Sequence, residues 1–171
     1  MGTLDGLSRY DGHSFVTFRP GIGDEISLAD HHVKVITEDR NGFLWIFTSP
    51  EIFSCYDLKR DCFVDYTGCG EYKQEYKRKL ETSTGDIWLW HNEKNGCRKI
   101  TYKDGHFSSV IFDRKNGKLF SDSVNYVYED EQGSVWICTQ AGLVWVAGNQ
   151  TQLFKNCLLY TSPSPRDRSL S

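Results

Sequence analysis

Six residues carry the side chains best suited to holding a small polar ligand: His31, His32, Trp90, His91, Asn92 and Glu93. An indole offers a flat apolar surface on which a sugar ring can stack. The neighbouring amide and carboxylate supply the few directed hydrogen bonds that fix orientation in a mixed pocket. Histidine adds a titratable donor and acceptor. Each residue also has a plainer reading. Trp90 occupies a strand position where tryptophan is usually core, and His91 stands without the companions that a metal or catalytic centre requires. His31 and His32 are adjacent, so in extended chain they point to opposite faces and do not share a metal. No metal and no cofactor is expected.

Catalytic residues are not expected either. Glu38, Glu81 and Glu129 recur at one strand end in each copy of a repeat, as scaffold residues do, and no nucleophile with an orienting histidine or cofactor cradle accompanies them. The cysteines give no zinc spacing. Six are present, five of them before residue 157, an odd number that argues against a closed disulfide framework. Cys55 and Cys62 flank one hairpin in positions from which they could face each other, although small buried thiols are the commoner state. Cys138 is expected to fill core.

The elements that must position these side chains come from a repeated frame. Glu38, Asp39, Gly42 and Trp45 return as Glu81, Thr82, Gly85 and Trp88, and again as Glu129, Asp130, Gly133 and Trp136. The glycines are about 43 and about 48 residues apart, the period of a four-stranded blade. Before each frame lies a period-two segment (33–37, 76–80, 124–128), and after it a second strand (44–47, 87–90, 135–138) carrying the tryptophan. Asp39 and Asp130 are suited to bonding the turn's own backbone, and Thr82 does so more weakly. A second hairpin completes each unit over 6–15, 52–63, 96–107 and 142–154, with Asp11 and Gly12, then Asp104 and Gly105, as its strongest turn signals.

The expected fold is all-β: an incomplete β-propeller of about three four-stranded antiparallel blades and part of a fourth, forming an open arc. The blades span 1–18, 33–66, 76–112 and 124–156. Asp39, Gly42, Trp45, Gly85, Trp88, Asp130, Gly133 and Trp136 are its structural repeat. Residues 1–7 sit in the middle of the frame, so Met1 is expected to be an internal methionine or a truncation point. After Phe154 the repeat stops, and 157–171 look like a translated sequencing-library adapter, expected to be disordered. A natural Ser/Pro-rich linker is the alternative.

In an up-and-down blade, the loop between blades and the loop joining the second and third strands emerge on one face, and the tight hairpins on the other. The hairpins are stereotyped here and the first set varies, which points to residues 30–32, 49–51 and 91–95 as the ligand face. Composition narrows the partner. The chain is 14% aromatic with a formal net charge of −3, and it has no apolar run long enough to cross a bilayer. Lys73, Lys77, Arg78 and Lys79 read as a solvated strand edge, and neither nucleic-acid binding nor membrane embedding is expected.

The hydrophobic strand, the Glu-Asp-x-x-Gly-x-x-Trp frame, the Gly-Leu step and the Tyr-Asp-Gly turn together resemble the two-component regulator propeller repeat, from residue 1 to about 154. Departures fall where that family prefers a small residue after Trp-Ile. Phe47, Trp90 and Cys138 stand there, while Gly2 conforms. The Gly-Leu step becomes Ile52 and Phe53 in one middle blade and Gly96 and Cys97 in the other. The resemblance implies the periplasmic sensor region of a bacterial hybrid two-component histidine kinase, taking a small-molecule or oligosaccharide ligand. Its partners would be the remaining blades of a parent propeller, and a homodimeric parent is left open. A propeller enzyme (carbohydrate hydrolase or lyase, or quinone-dependent dehydrogenase) and a protein-interaction scaffold are the competing classes.

Overall fold

The structure, a computed structural model, describes residues 2–3, 5–21, 26–71 and 73–155. Expectations placed on Met1 and on residues 157–171 therefore lie outside the described residues. The first sheet contains β1 (Gly2–Thr3), β2 (Gly6–Tyr10) and β3 (Phe15–Phe18). The second contains β4 (Val33–Glu38), β5 (Phe43–Thr48), β6 (Ile52–Asp57) and β7 (Cys62–Val64). The third contains β8 (Arg78–Glu81), β9 (Ile87–Trp90), β10 (Cys97–Lys103) and β11 (His106–Phe112). The fourth contains β12 (Val124–Glu129), β13 (Val135–Thr139), β14 (Gly142–Ala147) and β15 (Gln150–Lys155). Every pairing is antiparallel between consecutive strands, giving one three-stranded and three four-stranded sheets in an arc that is not closed. No helix among the described residues is long and apolar enough to cross a membrane.

Register makes the repeats equivalent. Trp45, Trp88 and Trp136 lie opposite Thr37, Leu80 and Tyr128 at the same step of their first hairpins. Successive side chains on a strand point to opposite faces. On β5, Phe43 and Trp45 accordingly join the core shared with the third sheet, and Ile46 joins the core shared with the first. On β9, Ile87 and Leu89 pack back toward the second sheet, while Trp88 and Trp90 pack forward against Val124, Val127 and Ile137 of the fourth. The core is thus three inter-sheet layers, and each sheet is buried on both faces only if it has two neighbours.

Trp136 shows that rule from the other side. Trp45 and Trp88 are each 1% exposed, but Trp136 is half-buried and stacks on Phe154 at 6.1 Å, because no described sheet covers its face. Cys138 shares that face by strand alternation and is half-buried, not core. The pairing expected of Cys55 and Cys62 does not form: Cys55 lies opposite Val64, Cys62 lies opposite Asp57, and both thiols are free.

The frame's other residues explain themselves in the turns. Asp39 accepts hydrogen bonds from the backbone amides of Asn41 (2.9 Å) and Phe43 (3.0 Å), and from the Trp45 indole Nε1 (2.8 Å). Asp130 repeats this with Gln132, Ser134 and, at 2.8 Å, Trp136. The indole and the turn amides hold the Asp130 carboxyl below its usual range. The chain reverses through Gly42, Gly85 and Gly133 at φ of 85°, 87° and 78°, a region unfavourable to other residues. In the middle copy Thr82 is too short to reach the indole, and the buried Trp88 Nε1 has no partner among the described residues.

Two of the recurrent glutamates tie sheet to sheet. Glu81 accepts from the backbone amide (3.1 Å) and Nε (2.9 Å) of Arg40 in the preceding turn. Glu129 accepts from the Ser83 amide at 2.7 Å, at the same step one blade on.

Two outcomes follow for stability. Trp45→Ala is expected to cost about 3–5 kcal/mol in chemical denaturation, and Trp136→Ala about 1–2 kcal/mol, because only the first leaves a cavity between two sheets. Equal losses would contradict the asymmetry. Thr82→Asp supplies the missing acceptor for Trp88 and is expected to stabilise by about 1 kcal/mol. A lowered melting temperature would show that the carboxylate does not reach the indole.

Candidate functional site

Two ends of the arc differ. Turns 39–42, 82–85 and 130–133 lie at the end clamped by Glu81 and Glu129. The other end gathers the second-to-third-strand loops (49–51, 91–96, 140–141) and the connections between sheets. There the Ser49 amide donates to His32 O (3.0 Å), the Gln140 amide to Ser123 O (3.3 Å), and the Gly96 amide to Asp122 O (2.9 Å). The Tyr76 amide reaches Glu51 O at 2.7 Å, joining the second sheet's loop to the third sheet's entry. Gly96 is required where it stands, since a Cβ would lie 2.1 Å from Phe112 O.

His91 is the pin of this surface. It is 1% exposed, its Nδ1 accepts from the Glu93 amide at 3.0 Å, and its Nε2 lies 3.1 Å from Glu51 Oε2. With Nδ1 accepting, the neutral ring carries its proton on Nε2 and donates it to the carboxylate. Glu51 also pairs with Lys77 Nζ at 3.4 Å. Glu51 therefore ties the second sheet's loop to both the loop and the entry of the third sheet. Arg98, fully buried, fixes the connection leading to Lys77 by binding Tyr76 Oη (3.2 Å), Glu71 (2.8 Å) and Gln74 (3.1 Å).

Behind Lys77 opens a cavity of about 420 Å³. Its wall comes from the first strands of three consecutive sheets (Val35 and Thr37; Lys77, Arg78, Lys79 and Leu80; Tyr126 and Val127) and from Trp45, Phe47, Phe53 and Trp90. First strands meet here, so they form the inner side of the arc. Trp90 is 3% exposed, packs edge-on to Tyr126 at 6.3 Å, and has a buried indole Nε1 without a partner among the described residues. Its position is both inter-sheet core and cavity wall. Lys79 sits with its ammonium 5.6 Å from the centre of the Trp45 ring, and burial pulls its pKa down. The expected solvated strand edge describes Lys73 and Arg78, both exposed, but not Lys79.

The six residues singled out from sequence do not converge. Trp90 lines this cavity, and His91 adjoins it through Glu51 and Lys77. Glu93 borders a separate depression with Arg114, Ser121 and Asp122. Asn92 accepts the Ser123 hydroxyl at its backbone oxygen, and its buried Oδ1 has no partner among the described residues. His31 and His32 are exposed on the inter-sheet connection, with the His32 amide bound to Asp30 (2.9 Å). Sequence reasoning read Arg78 and Lys79 as a solvated strand edge and not as cavity wall. The signal lay in the aligned first strands: relative to the paired second strands they occupy the places of Val35 and Ile36, and of Tyr126 and Val127.

Residues 118–141 match the family model described as two component regulator propeller. Among solved structures, the chain is similar to two extracellular domains of hybrid two component systems from B. thetaiotaomicron. One is 22% identical, with 88% of this chain and 20% of that chain covered and a TM-score of 0.55. The other is 21% identical, with 91% and 23% covered and a TM-score of 0.53. It is also similar to PorZ, a surface component of the type-IX secretion system of Porphyromonas gingivalis, at 16% identity, 90% and 24% coverage and a TM-score of 0.53. The chain spans about a fifth to a quarter of the length of these structures. No curated protein matches it. The fold is that of a propeller.

Glu51 makes the site sensitive to acid. Its partial burial pushes the carboxyl up, but hydrogen bonds from His91 and Lys77 outweigh this and leave it below its ordinary value of 4.5. The folded value is therefore below the unfolded one, and the stability it contributes is present above 4.5 and lost as pH falls through the depressed value. Glu51→Gln is expected to lose less stability than the native chain between about pH 5 and about pH 3, read from melting temperature. Parallel curves would show that the carboxylate is not held by its two partners.

Proposed function

We propose that this chain is part of the extracytoplasmic, periplasmic sensing propeller of a hybrid two-component signalling protein, that it takes an oligosaccharide, and that binding controls a histidine kinase in the same protein. The single observation carrying the reading is the match of residues 118–141 to the two component regulator propeller. The propeller fold shared with extracellular domains of hybrid systems supports it. So does a cavity whose aromatic wall suits the apolar faces of sugar rings, set between inner strands of three sheets. A ligand there would touch three blades at once, and a small change in their relative tilt is a signal that a rigid arc can carry. The wall presents cations and aromatic rings, not the paired carboxylates or nucleophile and histidine that hydrolysis or elimination would use.

The test is phosphorylation. In membranes carrying the intact protein, an oligosaccharide that binds the propeller is expected to change histidine autophosphorylation several-fold. Binding accompanied by turnover of the sugar, with phosphorylation unchanged, would place the propeller among enzymes.

A further inference from the structure

We infer that the inner cavity selects an anionic oligosaccharide, one bearing carboxylate or sulfate groups, and that Arg78 and Lys79 are its specificity-determining residues. The inference rests on the sensor reading and names the chemical class of its ligand. Three consecutive cations, Lys77, Arg78 and Lys79, line the cavity, and among the described residues its wall contains no carboxylate. Lys77 is neutralised by Glu51 at 3.4 Å. Arg78 is exposed on the first strand, and no carboxylate among the described residues forms an ion pair with it. Lys79 has the Trp45 ring at 5.6 Å as its contact, while Glu81 and Asp39 act on it only through longer-range charge.

These cations stand where the fold does not need them. At the step of Arg78 the neighbouring blades carry Val35 and Tyr126, and at the step of Lys79 they carry Ile36 and Val127. Val127 is core, and Ile36 packs against core. Putting an ammonium into an aliphatic position opposes burial, as its lowered pKa records. An anion entering the cavity would offset that cost, because it pairs the charge in a place where water screens poorly. The rest of the wall fits the same ligand. Trp90, Phe47 and Tyr126 offer apolar faces. From Lys77 and Trp90 at the loop end to Leu80 and Trp45 the wall runs about 10 Å along the strands, long enough for two sugar rings.

The experiment is calorimetric titration of the intact propeller containing this chain with three size-matched sets of oligosaccharides: uronate-containing, sulfated and neutral. It is repeated with Arg78→Val and Lys79→Ile, which install residues the preceding blade already uses at those steps. A uronate or sulfated ligand is expected to bind, to weaken about tenfold with either substitution, and to weaken with added salt. The arm that binds identifies which anion is read. Neutral ligands bound as tightly as anionic ones, or anionic ligands bound equally by both variants, would overturn the inference and leave the sensor reading standing. Binding from none of the three sets would overturn both.

Discussion

The arrangement depends on a carboxylate that the third and the fourth sheet each lend to the one before it. Glu81 holds the turn amide of Arg40 and Glu129 holds that of Ser83, each from the end of a first strand. Apolar burial supplies most of the adhesion, since each large side chain buried between sheets contributes about 1.5–3 kcal/mol and each layer contains several. A single net hydrogen bond to a charged group contributes about 1.5–3 kcal/mol, and less where it is exposed. But burial has no direction, and two twisted apolar faces can slide over one another. The glutamate bond fixes which residue of one sheet meets which residue of the next, and so keeps the first strands converging on one inner cavity.

The internal Asp to Trp bond works within each sheet as the glutamate works between them. In the second and fourth sheets one carboxylate satisfies two turn amides and an indole, so the turn and the largest core side chain are set together. The third sheet departs from this pattern repeatedly. It has Thr82 in place of aspartate, a Trp88 indole without a partner among the described residues, cations at first-strand steps where the neighbouring sheets carry apolar or aromatic residues, and residues 91–96 where the fourth sheet needs only 140–141. Departures from a local rule concentrate where a protein gives up stability for function, and of these the cations line the inner cavity.

Much of this was legible in the sequence because a propeller repeats its own instructions. The strands, the turn glycines and the burial of Trp45 and Trp88 follow from period two within a strand and a fixed frame between blades. The half-exposed Trp136 was not legible, because its environment belongs to a neighbour and not to its own strand. Nor was the partner of Glu81 or Glu129, since a recurrent residue announces a structural role without saying which sheet it serves. His91 read as a structural partner or a ligand residue. Only coordinates supply Glu51, forty positions earlier, as the group it meets. Lys79 was visible as a charge, but its desolvation over Trp45 is set by the angle between sheets. Buried Arg98 gave no signal at all, because its partners lie on an irregular connection without periodicity.

The most direct test of this account is amide hydrogen exchange at Arg40 and Ser83 in the intact propeller, compared with Glu81→Ala and Glu129→Ala. If the carboxylates set the register of the sheets, both amides exchange slowly in the native protein. Each substitution then exposes chiefly the amide one blade before it. Rapid exchange at both sites in the native protein, or rates untouched by either substitution, would contradict the claim that the sheets are locked through these bonds.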